Sequence, residues 1–251
     1  MNACAYCGLP GSLTKDHIWP ESLILKYESL KTYNPRTNKY YIGDPVVKDV
    51  CAKCNNGRLS ILDSYLSEIY DKYLGRLIDP GESAQLEYNN ELLLRSLLKI
   101  SFNSSRASQH EKSKSLHKAF AQFILSGGYC SRVALRLQIV TNSRRVDLIK
   151  GSEDAFKPLA MRCAILAYDG PLARRFLVRM IAINSYWFYL ITPYKAEPEH
   201  KWREFLLGLS NWRIPPGVTV SPQGTKMHIN VNQTTYLHPE LLGSLVGAEG
   251  A

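Results

Sequence analysis

The sequence lacks any long hydrophobic run. A helix needs about 20 mainly apolar residues to cross a bilayer. The longest candidate, residues 180–192, is broken by Asn184, Ser185 and several tyrosines. The first residues show no basic start followed by an apolar core, so no signal peptide is expected and the expected compartment is the cytoplasm. The C-terminal region shows no repeat. Cysteine is sparse, with six in 251 residues, and four of these form two C-x-x-C pairs. Without a signal peptide, such pairs read as metal ligands rather than disulfides. Cys130 and Cys163 stand alone in apolar surroundings and read as small buried hydrophobes.

Acidic charge is also in short supply. There are 22 acidic against 31 basic residues, which gives a net charge of +9 and a pI near 9.2. This balance favours polyanionic partners, nucleic acid first and acidic membrane surfaces second. Residues 1–75 carry only +1, and the remaining +8 lies beyond Gly75. The hydrophobic fraction of 45% suits a folded globular chain.

The patterning suggests α+β architecture in two parts, residues 1–75 and 76–251. In the first, residues 12–20 read as a short strand stopped by Pro20. Lys39-Tyr-Tyr-Ile42 and Val46-Val47 suit strands around a Gly-Asp-Pro turn. Leu59, Leu62, Leu66, Ile69 and Tyr73 recur at three- and four-residue steps and predict a helix over about 55–74. Residues 75–90 read as a linker containing Asp79-Pro80-Gly81. Helices are expected over 91–107 and about 111–125, the first with a broad apolar face and the second ended by Gly127-Gly128. Strands are then expected at 133–141, 164–168, 176–183, 186–191 and 227–231. Asn184-Ser185 is read as a hairpin turn, and a short helix is expected near 199–209.

All the recognisable motifs lie in the first part. A C-x-x-C turn presents two thiolates to one ion, and two such turns make a closed four-sulfur site. Cys4, Cys7, Cys51 and Cys54 are therefore expected to bind a structural Zn2+, clamping the 43 residues between Cys7 and Cys51. That insertion contains Thr14-Lys15-Asp16-His17-Ile18-Trp19-Pro20. A strand ending in Asp-His sets a carboxylate beside an imidazole. Carboxylates are hard ligands suited to magnesium, and imidazoles exchange protons near neutral pH. Asn55-Asn56 follows Cys54 directly, so the zinc that fixes Cys54 also brings a side-chain amide towards residues 16 and 17. Asn is equally at home as a helix cap.

C-x-x-C, then D-H-I-x-P, then C-x-x-C-N-N-G together resemble the HNH, or ββα-metal, nuclease family, in its zinc-stapled four-cysteine form. The resemblance covers residues 4–63. It implies two strands and a helix around one divalent ion, Mg2+ or Mn2+. It casts His17 as general base, Asp16 as metal-binding carboxylate and Asn55 as the helix ligand. The third motif lacks the histidine found in many members, so Asn56 and Asp63 stand behind Asn55 as candidates. The implied reaction is phosphodiester hydrolysis. His17 takes a proton from water, the metal on Asp16 and Asn55 neutralises charge, and a 5′ phosphate remains. Lys15, Lys53 and Arg58 are candidates to hold the scissile phosphate.

The second part carries no assigned motif. Arg132, Arg136, Arg144, Arg145, Arg174, Arg175 and Arg179 accompany Tyr186, Trp187, Phe188 and Tyr189. That mixture suits nucleic-acid binding, with DNA favoured, or equally a sheet core with outward arginines. By analogy with small HNH proteins of bacterial anti-phage defence, this part would serve as a sensor or docking domain, through a regulatory partner or a homodimer. The rival class is a non-catalytic zinc-ribbon module that binds nucleic acid or docks a protein.

Overall fold

The computed structural model describes residues 3–27, 31–34, 39–42, 45–108, 110–147, 152–158, 161–167, 170–210 and 216–231. It mixes helices and strands in two compact units. The units do not follow the blocks 1–75 and 76–251. Among the described residues, unit 1 combines those up to Tyr70 with Asn89–Ser131, and unit 2 combines Asp71–Tyr88 with those from Arg132 to Val231.

Unit 1 begins with the turn carrying Cys4 and Cys7, then strand β1 (Leu13–His17) and a single helical turn, α1 (Glu21–Ile24), opened by Pro20. Strands β2 (Lys31–Asn34) and β3 (Lys39–Ile42) pair with each other. Strand β4 (Val46–Cys51) returns antiparallel to β1. Their register slips once: Thr14 faces Val50 and Asp16 faces Val47, so Lys15 alone opposes Lys48 and Asp49. Bulges of this kind re-aim the side chains beside them.

Helix α2 (Ser60–Ile69) follows, extended at its two ends by π-helical turns at Cys54–Leu59 and Tyr70–Leu74. Leu59, Leu62, Leu66 and Ile69 are its buried stripe, as the three- and four-residue spacing requires. The stripe packs on α3 (Asn90–Ala107), where the Ser96 hydroxyl donates to the Leu62 carbonyl at 3.1 Å. Asn89 caps α3, its side chain accepting from the Leu92 amide.

The helix expected over 111–125 is two helices, α4 (Glu111–Lys118) and α5 (Ala121–Ser126), parted at Ala119-Phe120. Arg95 of α3 satisfies two of the last carbonyls of α5, donating to Ile124 and Leu125 at 3.0 Å each. Gly127 then takes φ +73°, and a Cβ there would strike the Glu91 carboxylate. Only glycine meets both conditions.

Unit 2 centres on an antiparallel sheet. β6 (Ala134–Ile139), β9 (Met161–Leu166), β10 (Phe176–Ile183), β11 (Tyr186–Pro193) and β12 (Val218–Thr219) lie in the order β12-β6-β11-β10-β9. Asn184-Ser185 makes the β10–β11 turn, with Asn184 at φ +48°. Every residue of β10 and β11 is buried. Phe176, Val178, Met180, Trp187, Tyr189 and Ile191 pack one face against Phe205 and Leu209 of α6 (Glu199–Ser210). Phe176 and Phe205 stack with centroids 4.1 Å apart.

Five strands escape the sequence pattern, β2 and β12 among them. The expected linker 75–90 contains β5 (Ser83–Glu87), which pairs with β13 (Lys226–Asn230). A second hairpin joins β7 (Ser143–Asp147) to β8 (Ser152–Phe156). Among the described residues, no helix is long and apolar enough to cross a membrane.

Candidate metal centre and adjoining carboxylate site

The four cysteines converge. The knuckle at Cys4–Cys7 meets the end of β4 and the start of the π-helical turn. All four sulfurs lie within 4.8 Å of one another, and Cys7 and Cys51 sulfurs are 3.8 Å apart. A tetrahedral zinc site with Zn–S bonds of about 2.3 Å requires sulfurs about 3.8 Å apart. Cys4 and Cys54 are buried, and Cys7 and Cys51 are half-buried. The cluster can therefore hold a metal ion such as zinc, closed to further ligands.

Its electrostatics suit that task. Burial pushes the Cys4 thiol up. Hydrogen bonds from the amides of Cys51, Cys7 and Tyr6 and from the Cys7 side chain outweigh it and bring the thiol down to about 7. Burial raises Cys54 well above the ordinary thiol range, helped by its hydrogen bonds with Cys51 and Cys7. Four sulfurs this close cannot all ionise without a cation among them.

Tyr6 lies inside the first C-x-x-C turn and docks it on α3. Its ring meets Phe102 edge-on at 5.2 Å, and its hydroxyl donates to Asn103 Oδ1 at 2.6 Å. Burial holds that hydroxyl protonated, well above the usual phenol range. Arg106 lies over the rings of Tyr6 and Phe102, and its guanidinium also donates to Asn103 Oδ1 and to Asp49.

Asp16 is buried at 3% exposure, and both of its oxygens are engaged. Asn103 Nδ2 donates to Oδ2 at 2.8 Å, and Lys99 Nζ lies 3.2 Å from Oδ1. The same Lys99 ammonium donates to Asp63 Oδ1 at 2.6 Å and Oδ2 at 2.7 Å. One buried cation thus joins a carboxylate of β1 to a carboxylate of α2. Burial still raises Asp63 above its ordinary value, with Lys99 as the chief opposing influence. His17 is half-buried beside Asp16. Its carbonyl accepts from Asn103 Nδ2 at 2.9 Å.

The other expected site residues are placed as follows. Asn55 spends its amide nitrogen on β1, donating to the Lys15 carbonyl at 2.7 Å and to Thr14 Oγ1 at 3.1 Å. It clamps the strand to the helix start. Asn56 is exposed, and its carbonyl accepts from Ser60. Of the three candidates for the helix ligand, Asp63 is the one joined to Asp16. Lys15, Lys53 and Arg58 are exposed, with Arg58 in contact with Ser126. Cys130 and Cys163 are half-buried rather than core residues. Tyr186, Trp187, Phe188 and Tyr189 are buried in the sheet of unit 2, and Arg179 is buried with them at 3% exposure.

Sequence reasoning missed Lys99, Asn103 and Arg106. Their signal was present: residues 95, 99, 103 and 106 recur at three- and four-residue steps among buried leucines, Ile100 and Phe102. A polar stripe on a helix usually faces water. This one is buried, because it meets the polar groups of the knuckle and of β1.

Comparison with protein-family models, curated proteins and solved structures found no match to this chain.

Proposed function

We propose that the protein is a metal-dependent endonuclease of the ββα-metal type, acting on nucleic acid, with DNA favoured. The observation that carries this reading is the pairing of Asp16 and Asp63 around one cation position beside His17, on two antiparallel strands and a helix pinned by the cysteine cluster.

The donor set agrees with a hard divalent ion. Two carboxylates from different elements converge on a point that carries positive charge, and Asp63 retains 29% exposure towards solvent. Mg2+ or Mn2+ there would be held by Asp16 and Asp63, and would offset charge on the scissile phosphate. Asn55 acts one step back, holding β1 against the helix so that Asp16 and His17 keep their place. His17 accepts the proton from the attacking water. Lys15, Lys53 and Arg58 are exposed cations on the same unit, suited to the flanking phosphates.

Plasmid nicking and oligonucleotide cleavage with Mg2+ or Mn2+ test the reading. Wild-type cleavage should be lost with chelator and should fall at least about 100-fold in His17→Ala. Cleavage by His17→Ala at the wild-type rate would overturn it. One observation favours the alternative of a non-catalytic zinc module: Lys99 fills the cation position and Asp16 has no oxygen to spare. Absence of divalent-dependent cleavage on every nucleic acid, with zinc tightly held, would establish that alternative.

A further inference from the structure

Lys99 is an unusual occupant. It sits in the middle of α3 at 1% exposure, between Leu98 and Ile100, which are themselves fully buried. Burying an ammonium in apolar surroundings is costly unless it is fully paired. Lys99 pays that cost with three carboxylate contacts, two to Asp63 and one to Asp16. The N···O separations of 2.6, 2.7 and 3.2 Å exceed Mg–O distances of about 2.1 Å by less than about 1.2 Å. The ammonium is thus the point on which the two carboxylates converge.

Three further features make the occupancy exchangeable. The lysine stem has four methylenes and can withdraw, whereas β1 and α2 are fixed by the cysteine cluster and by Asn55. Asp63 is the open side of the pair at 29% exposure, while Asp16 is sealed at 3%. One ammonium also serves two carboxylates, whereas a divalent ion would match both.

We propose that Lys99 is an internal cation that holds the Asp16–Asp63 position in the metal-free protein and must be displaced before a divalent ion can load. It is a regulating residue rather than a catalytic one, since it leaves the cation position before the divalent ion acts there. Metal loading would then have a threshold set by the protein itself. Isolated carboxylate pairs would load at lower metal concentration. The inference rests on the nuclease reading of the same site.

The test is Mn2+ binding, read by electron paramagnetic resonance and calorimetry, on protein given one equivalent of zinc so that the cysteine cluster is already filled. Lys99→Met keeps the stem and removes the charge. It should bind one Mn2+ at least about tenfold more tightly than wild type, a difference of about 1.4 kcal/mol. The gain should vanish in Lys99→Met combined with Asp63→Asn. Equal affinity in wild type and Lys99→Met would overturn the proposal, whatever cleavage shows. A second measurement on wild type guards against misfolding of the variant. Lys99 should resist an amine-acylating reagent without divalent metal and become modified at saturating Mn2+, read by peptide mass spectrometry. Modification that is independent of Mn2+ would also overturn the proposal. If wild type binds Mn2+ at this site but cleaves nothing, the nuclease reading fails while the displacement of Lys99 stands.

Discussion

Asn103 gathers four groups with one side chain. Its Nδ2 donates to Asp16 and to the His17 carbonyl, and its Oδ1 accepts from Tyr6 and Arg106. A buried amide with all these bonds made is stabilising, but each partner left unsatisfied costs about 1–3 kcal/mol. Asn103→Leu should therefore destabilise the protein by about 3 kcal/mol or more in denaturant unfolding. Tyr6→Phe removes one bond and should cost about 1 kcal/mol, leaving Arg106 on Asn103. If Asn103→Leu costs no more than Tyr6→Phe, the side chain is not the hub described. Residues 16, 17 and 63 were visible in the sequence because they sit in or near a motif of fixed order. Lys99 and Asn103 lie more than 80 positions from their partners on β1 and belong to no motif, so only tertiary packing could reveal them.

At the scale of elements, the cysteine cluster is what joins the β1–β4 pair to the helix beginning at Cys54. Such a cluster couples metal affinity to folding. One zinc per chain is expected by mass spectrometry. Its removal with a strong chelator should expose the amides of β1, β4 and Cys54–Leu59 to hydrogen exchange before those of β10 and β11. Uniform exchange across both units after chelation would contradict a local role. The long periodic elements were legible: α3, α6, β10 and β11 show strong apolar spacing over many residues. The weaker ones were not. The strand Ser83–Glu87 hides in a segment with turn residues on its N-terminal side, and it gains its partner from β13, nearly 140 positions later. The break between α4 and α5 lies at Ala119-Phe120, without glycine or proline to mark it.

At the scale of the whole molecule, the two units differ in kind. Unit 1 adds polar networks and a cysteine cluster to an apolar core between its helices, whereas unit 2 is built on an apolar sheet. Tyr186 shows what the sheet does to a polar group. It is 2% exposed, its hydroxyl donates to the Gln85 carbonyl at 3.1 Å, and burial pushes it up to about 12. With the folded value above the unfolded value of 10.0, the folded state keeps its proton longer. Its stabilising contribution is complete below pH 10 and is lost as the pH rises towards 12, a change of about 3 kcal/mol. Tyr186→Phe should flatten the fall in stability across that window, measured by urea unfolding at each pH. The burial of residues 186–189 also moves any nucleic-acid contact away from stacking on these rings. If the protein acts on nucleic acid as proposed, exposed cations such as Lys15, Lys53 and Arg58 would meet the backbone, and binding should weaken steeply with salt.

The most direct measurement of the central claim is single-turnover cleavage of a labelled DNA duplex by wild type and His17→Ala, with Mg2+ or Mn2+ titrated and zinc content matched. The account predicts saturable, divalent-dependent cleavage leaving 5′ phosphates. It also predicts a loss of at least about 100-fold in His17→Ala with zinc and melting temperature unchanged. Equal cleavage by the two proteins would contradict it.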